Sequence, residues 1–229
     1  MFHRQLFDKD SSTYSYLIAD EDTKQAALID PVDNQVDRDL GLLRELGFEL
    51  AYVLETHVHA DHVTGAGELK HRTSARSCAS AAGAPCIDVK LRHGDKLPLG
   101  ALTIEVLGTP GHTDDSLSFL VDGHVFTGDA LLIRGNGRTD FQNGDAAQLY
   151  DSITRVLFAL PDATVVLPGH DYKGLPASTI GEEKAHNPRL AGKSREEFVT
   201  IMESLLLAPP KRLDVAVPAN RACGRISDL

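Results

Sequence analysis

The sequence has no apolar run approaching the length that crosses a bilayer. Its amino terminus, MFHRQLFDKDSSTYSYLIAD, lacks the hydrophobic stretch of a secretory signal, and its early acids do not suit a transit peptide. No internal repeat, low-complexity tract or block of like charge interrupts the chain. Cations are scarce. With 23 Lys and Arg against 33 Asp and Glu, the formal net charge is −10, which argues against a general nucleic-acid surface, because phosphate binding needs clustered Lys and Arg. There is no N-x-S/T sequon and no CxxC. The three cysteines, Cys78, Cys86 and Cys223, are not an even disulfide set, so each is expected to be a small buried hydrophobe in a protein of the reducing cytoplasm.

Apolar residues make up 42% of the chain and charged residues 24%, within the globular range. A length of 229 residues is near the upper size for one hydrophobic core. One domain over 1–229 is expected, built of two packed halves, with a helical segment and tail from about 175 onward.

Period and punctuation place the elements. TYSYLIA (13–19) and KQAALID (24–30) read as a strand hairpin around DEDT. Residues 36–47 carry Val36, Leu40, Leu43 and Leu46 at helical spacing and close on Gly47. LAYVLET (50–56) is an almost wholly apolar strand. A helix over 63–72 leads into an Ala- and Ser-rich stretch without a clear period. Strands follow at 101–109, 116–122 and 124–129, the last two joined by the tight turn Asp122-Gly123. Residues 145–160 present Ala146, Leu149, Ile153, Val156 and Leu160 on one helical face, and 164–170 is a short strand ending in Pro-Gly. Helices near 178–186 and 194–207, a Pro-Pro break at 209–210 and the tail DVAVPANRACGRISDL complete the chain. Strands come first with helices interspersed and no regular βαβ alternation, a pattern that favours two sheets with helices packed outside.

Each of four apolar strands runs into a ligand-type side chain. VLET meets His57-x-His59-x-Asp61-His62, VLGTPG meets His112, VFTG meets Asp129, and VVLPG meets His170. A rigid strand followed by a Gly- or Pro-shaped loop holds a side chain more firmly than a free loop, as a preorganised metal site requires. His57, His59 and Asp61 are spaced by two, so extended backbone projects them to one side, unlike the spacing of four in helical zinc motifs. Burying three imidazoles and a carboxylate so close together is costly without a cation. A metal site is therefore expected, while the isolated His3, His71, His93, His124 and His186 receive no role.

With these residues in order, the chain resembles the metallo-β-lactamase superfamily. The resemblance implies an α/β (α+β) fold, the αββα four-layer sandwich, with the metal at one edge of the two sheets. TGDALLIRGNGRTDFQ (127–142), PGHDYKG (168–174), HNPRL (186–190) and VPANRACG (217–224) resemble the persulfide dioxygenases, relatives of glyoxalase II. Glyoxalase II would show Arg-Phe-Phe in place of Arg138-Thr139-Asp140, His-Glu-Tyr in place of His170-Asp171-Tyr172, and a longer helical tail. Some dioxygenases carry Cys where this chain has Asn136.

The resemblance implies one iron(II) per chain on residues matching His57, His112 and Asp129, a two-His, one-carboxylate set that leaves positions open for dioxygen and substrate. His59, Asp61, His62 and His170 then orient ligands, fix water or relay protons, with Tyr172 offering a hydroxyl near the metal. Residue types alone leave a binuclear centre open, since the ligands for a second ion are all present. The implied reaction oxidises glutathione persulfide with O2 and water to sulfite and glutathione. Arg138 is the first candidate for a cation facing the anionic substrate, with Tyr172 and Thr113 behind it and Arg134 and Lys173 weaker. Cys223 is read either as a residue of the substrate entrance or as simply buried. A homodimer and an upstream rhodanese-type sulfurtransferase are further expectations, with no nucleic-acid or membrane partner. Two other readings stand beside this one: a glyoxalase II-like binuclear hydrolase of S-acyl glutathione, and a non-catalytic metal-dependent sensor or binding module.

Overall fold

The computed structural model describes residues 1–208 and 212–224. Two sheets of six strands make its centre. The first runs in chain order: β1 (Phe2–Asp8), β2 (Thr13–Ala19), β3 (Gln25–Ile29), β4 (Glu49–Leu54), β5 (Arg76–Ser80) and β6 (Val89–Leu91). The second is β7 (Lys96–Leu99), β8 (Leu102–Gly108), β9 (Leu117–Val121), β10 (His124–Gly128), β11 (Val165–Pro168) and β12 (Ser178–Thr179), again side by side in chain order. The helices are α1 (Val36–Leu46), α2 (Ala66–Arg72), α3 (Ala146–Ser152), α4 (Ile180–His186), α5 (Arg195–Glu203) and α6 (Leu213–Arg221).

Strand parity builds the layers. On β2, Tyr14, Tyr16 and Ile18 face the second sheet and join Phe119, Phe126, Ile104 and Val106 in the core between the sheets. Leu17 and Ala19, the alternate residues, face the other way and pack with Val36, Leu40 and Leu43 of α1 and Leu69 of α2. Val125 and Val166 likewise turn outward from the second sheet onto Leu149, Ile180 and Phe198 of α3, α4 and α5. Because both faces of these strands are covered, β2 is buried along its whole length and its sequence shows little polar alternation. Each large side chain so buried contributes ~1.5–3 kcal/mol. The four-layer α/β sandwich expected from the sequence is the fold observed.

Local signals account for the boundaries. Gly47 ends α1 at φ 69°, the left-handed conformation that a side chain disfavours. Ser194 caps α5 through a reciprocal box with Glu197. The Ala- and Ser-rich stretch resolves into β5, parallel to β4, and leads on to β6, parallel to β5.

Several expectations are corrected. The helix expected over 145–160 is α3 followed by a wide π-helical turn over 153–157, still with Leu149, Ile153 and Leu157 buried. The helix of 194–207 stops at Glu203, leaving Leu206 fully exposed. Residues 214–221, read as tail, form most of α6 despite Pro218; tertiary contacts hold that turn, with Ala216 and Ala219 packed on Val63. The Pro209-Pro210 break lies outside the described residues. The expectation of three unpaired thiols also fails, since Cys86 and Cys223 form a disulfide across 137 residues of sequence. Cys78 alone remains free, and burial pushes its thiol up to about 12.

Candidate metal centre

Strands β8, β10 and β11 run in the same direction, so their carboxyl ends share one edge of the second sheet. His112, Asp129 and His170 follow those ends, and the loop after β4 brings His57, His59, Asp61 and His62 from the first sheet. The two sheets are stitched at this edge, where the Tyr14 amide donates to the Gly169 carbonyl at 2.8 Å and Thr13 bridges His170. All seven residues meet.

His57, His112 and Asp129 offer ligand atoms that lie within 4.8 Å of one another. Their other atoms are committed, which fixes what faces inward. The Asp30 carboxylate accepts from the Thr56 amide at 2.7 Å and from the Thr56 hydroxyl at 2.8 Å. The hydroxyl proton being used there, Thr56 accepts from His57 Nδ1 at 2.9 Å, which leaves a lone pair on Nε2. His112 Nδ1 donates to the Arg138 carbonyl at 2.6 Å, which likewise frees Nε2, 3.6 Å from Asp129 Oδ2. Asp129 Oδ1 accepts from His170 Nδ1 at 2.7 Å. Two imidazole nitrogens and one carboxylate oxygen thus converge with nothing else to bind, which fits a cation.

Electrostatics agree. Burial holds His57 well below its ordinary value, with His59 and His112 adding to the shift, so it is a neutral imidazole able to donate its lone pair. Burial works against Asp129, but His170, through charge and hydrogen bond, outweighs it and keeps the carboxyl well below its usual range. Asp61 is held down in the same way, against burial, by His62 and His170. His170 is raised well above its ordinary value, the pull of Asp129 and Asp61 overcoming burial. Its Nε2 sits 3.1 Å from Asp61 Oδ2, so both of its nitrogens carry protons to carboxylates.

Part of the ligand set for a second ion is thus engaged internally, His170 through both nitrogens and Asp61 through Oδ2. Asp61 Oδ2 also accepts from the Thr13 hydroxyl and from His62 Nδ1. His59 Nε2 lies 3.2 Å from both Asp30 Oδ1 and Glu55 Oε2, out of line for a hydrogen bond with either. These carboxylates outweigh burial and raise His59 well above its ordinary value. His59, Asp61 and His62 do form a second group within metal reach, as do Asp30, Glu55 and His59. Buried atoms without partners mark the same region: Glu55 Oε2, both nitrogens of His59 and His62 Nε2.

Two glycines are there for space. A Cβ on Gly137 would stand 2.3 Å from the Asp129 carbonyl and 2.8 Å from His112 Nδ1. A Cβ on Gly128, at φ 49°, would stand 2.5 Å from the Thr56 hydroxyl.

The remaining candidates lie around this centre. Tyr172 is exposed, its ring stacked on His170 at 11° with centroids 6.0 Å apart. Arg138 grips Asp140 with two bonds of 2.7 Å, donates to the Ala208 carbonyl and lies over Phe141. Thr113 is buried, its hydroxyl on Ser116. Arg134 is paired with Glu182 and Glu183. Asn136 is buried against Met202. His3 and His124 pack with their rings tilted by 48° and centroids 4.9 Å apart, and His93 accepts from the Gly108 amide.

Asp30, Thr56, Glu55, Thr13 and Asn220 were not foreseen. Asp30 was open to the strand-end rule, since it follows β3 as Asp129 follows β10. Thr56 and Asn220 carry no comparable signal. The Asn220 side chain accepts from the Thr64 amide at 2.8 Å and donates to the carbonyls of His59 and His62 at 2.9 and 2.8 Å.

Comparison with known proteins is consistent with this geometry. The model of the metallo-beta-lactamase superfamily matches residues 8–85 and 87–170. The mitochondrial persulfide dioxygenase ETHE1 of Bos taurus is 45% identical over 224 residues, covering 96% of this chain and 88% of the relative. That of Homo sapiens has the same identity and coverage. The crystal structure of ETHE1 from Myxococcus xanthus is 64% identical and superposes with a TM-score of 0.97, covering 98% of this chain and all of the other. The chain belongs to the metallo-beta-lactamase superfamily and, within it, to the persulfide dioxygenase family.

Proposed function

We propose that the protein oxidises glutathione persulfide with dioxygen and water to sulfite and glutathione, using one iron(II) ion per chain held by His57, His112 and Asp129. The observation that carries this reading is the convergence of three uncommitted donor atoms, two imidazole and one carboxylate, beside His170, whose two nitrogens are both taken by Asp129 and Asp61. A bound iron(II) supplies open coordination positions where dioxygen and the terminal sulfur can meet and exchange electrons. The overall change is balanced: persulfide, O2 and water give thiol and sulfurous acid.

The protein's own groups do the rest. Thr56 and the Arg138 carbonyl aim the two imidazoles. His170 holds Asp129 from behind and carries a proton between two carboxylates, so it can donate toward oxygen as charge develops. Tyr172, stacked on His170 and exposed, stands where substrate enters. Arg138 is the cation offered to a glutathione carboxylate, close to its partner Asp140. A cytoplasmic setting, a homodimer and a rhodanese-type sulfurtransferase as supplier of persulfide belong to the same proposal.

The test is metal analysis of anaerobically purified protein together with oxygen uptake on glutathione persulfide. Near one iron per chain with sulfite formed supports the reading. Two zinc ions per chain with hydrolysis of S-acyl glutathione, or metal without turnover of either substrate, overturns it.

A further inference from the structure

The disulfide between Cys86 and Cys223 sits between two spaces. On its outer side a surface cavity of about 430 Å³ is lined by Lys70, Arg221, Ser77, Pro85 and both cysteines. On its inner side a small cavity is walled by Cys223, Asn220, Ala84 and Ile87 and, opposite them, by His57 and His59. Cys86 is exposed while Cys223 is buried. The bond thus borders a solvent-open cavity on one side, where Cys86 is the exposed residue, and a cavity shared with the metal-binding loop on the other.

What the bond ties down is the end of α6. Asn220 holds three backbone groups of the segment 59–64, and Cys223 follows three residues later. The disulfide anchors this end of the chain to the loop between β5 and β6, which belongs to the first sheet. A side chain that clamps a loop is only as firm as the backbone that carries it. Opening the bond leaves α6 with the packing of Ala216 and Ala219 on Val63 and the Asn220 bonds.

We propose that this disulfide is a thiol-exchangeable latch on the metal-binding loop, opened by a small anionic thiol that docks in the outer cavity and attacks the Cys86 sulfur. The thiolate forms a new S–S bond to Cys86 while the Cys86–Cys223 bond breaks and its electron pair leaves with Cys223. A second thiolate then releases Cys86 as a thiolate, so two thiols become one disulfide and the protein gains two electrons. Oxidised disulfide of the same thiol reverses the sequence. Anionic character is favoured because the cavity carries Lys70 and Arg221; Lys70 is paired with Asp88, so Arg221 carries the larger share of the attraction. The exposure of Cys86, against the burial of Cys223, and the cations together select Cys86 as the point of attack. Thiolate-accessible disulfides are the labile ones in a glutathione-containing compartment.

The test is independent of the reaction above, because none of its readouts measures turnover. Metal-loaded, oxidised protein is incubated with glutathione, and adducts are mapped by peptide mass analysis. Loss of metal to a chelator and amide hydrogen exchange over 59–64 are followed in the oxidised and reduced states. Expected are a mixed disulfide on Cys86, chelator loss faster by about fivefold or more on reduction, and faster exchange over 59–64. Cys86→Ser should show the fast behaviour whatever the redox state. Arg221→Ala should slow exchange with glutathione and leave that with uncharged 2-mercaptoethanol unchanged. An adduct confined to Cys223, a bond that survives excess glutathione, or metal loss indifferent to the state of the bond overturns the latch. Equal slowing for both thiols in Arg221→Ala removes the anionic docking.

Discussion

Replacing Thr56 by Val isolates the support of a metal ligand from the ligand itself. The two side chains have nearly the same shape, so the buried site stays filled and only the hydroxyl is lost. That hydroxyl donates to Asp30 Oδ2 at 2.8 Å and accepts from His57 Nδ1 at 2.9 Å. Asp30 keeps the Thr56 amide at 2.7 Å, so its carboxylate is half-supported rather than abandoned. A hydrogen bond to a charged group contributes ~1.5–3 kcal/mol and one between neutral groups ~0.5–1.5 kcal/mol. The metal-free protein should therefore lose about 3 kcal/mol, or roughly 6–12 °C in Tm for a chain of this size. His57 would be free to turn, and loss of such an outer partner lowers metal affinity ~10–100-fold. Thermal melting of the metal-free protein reads the first effect and competition with a chelator the second. Thr56→Ser, which keeps the hydroxyl, should restore most of both. If Thr56→Val bound metal within a factor of about two of the parent protein, the idea that Asp30 aims His57 through Thr56 would be refuted.

Other changes probe other parts of the structure. Gly137→Ala drives a methyl into the Asp129 carbonyl and His112, and should cost about 3 kcal/mol and most of the bound metal, checked by denaturation and metal analysis. Asn220→Ala leaves one amide and two carbonyls of the segment 59–64 without partners, a loss of about 3 kcal/mol in denaturant unfolding; a loss under about 1 kcal/mol would show that water or relaxation replaces all three. Arg138→Ala should raise KM for glutathione persulfide much more than it changes iron content, and unchanged kinetics would remove Arg138 from the substrate site. Asp39 is buried with Oδ2 unpartnered, and burial raises its pKa above 3.8 in spite of Arg38. Its native form binds the proton more tightly than the unfolded chain does. The associated stability is whole below pH 3.8 and is lost as pH rises through the native value. Asp39→Asn should therefore gain on the parent protein, in denaturation midpoint, as pH goes from 4 to 7; a constant difference would count against the shift.

The seven metal-affine residues were legible because the feature that positions them is also a sequence pattern. An apolar strand long enough to be recognised ends in a Gly or Pro turn, and the next polar side chain stands at the sheet edge; His112, Asp129 and His170 all obey this, and Asp30 stands at its strand end directly before Pro31. The shell behind them is built otherwise. Thr56 matters because its hydroxyl lies between Asp30 and His57, and threonine at the end of a strand is ordinary in any sheet protein. Asn220 sits about 160 residues beyond the backbone it holds, on a helix whose Pro218 reads as a breaker, so nothing local announces it. The Cys86–Cys223 pair is hidden for the same reason, being set by where the chain end docks.

The division has a physical source that bears on nuclearity. Ligand identity is written in residue types, which here suffice for two ions, whereas the outer hydrogen-bond partners set which donor atoms face inward. His170 has both nitrogens on carboxylates, while His57, His112 and Asp129 turn free donor atoms on one point and His59 and His62 keep unpartnered nitrogens beside Asp61. The one-ion centre proposed above rests on those outer partners, and changes in them should shift the site between oxidising and hydrolysing chemistry on this scaffold.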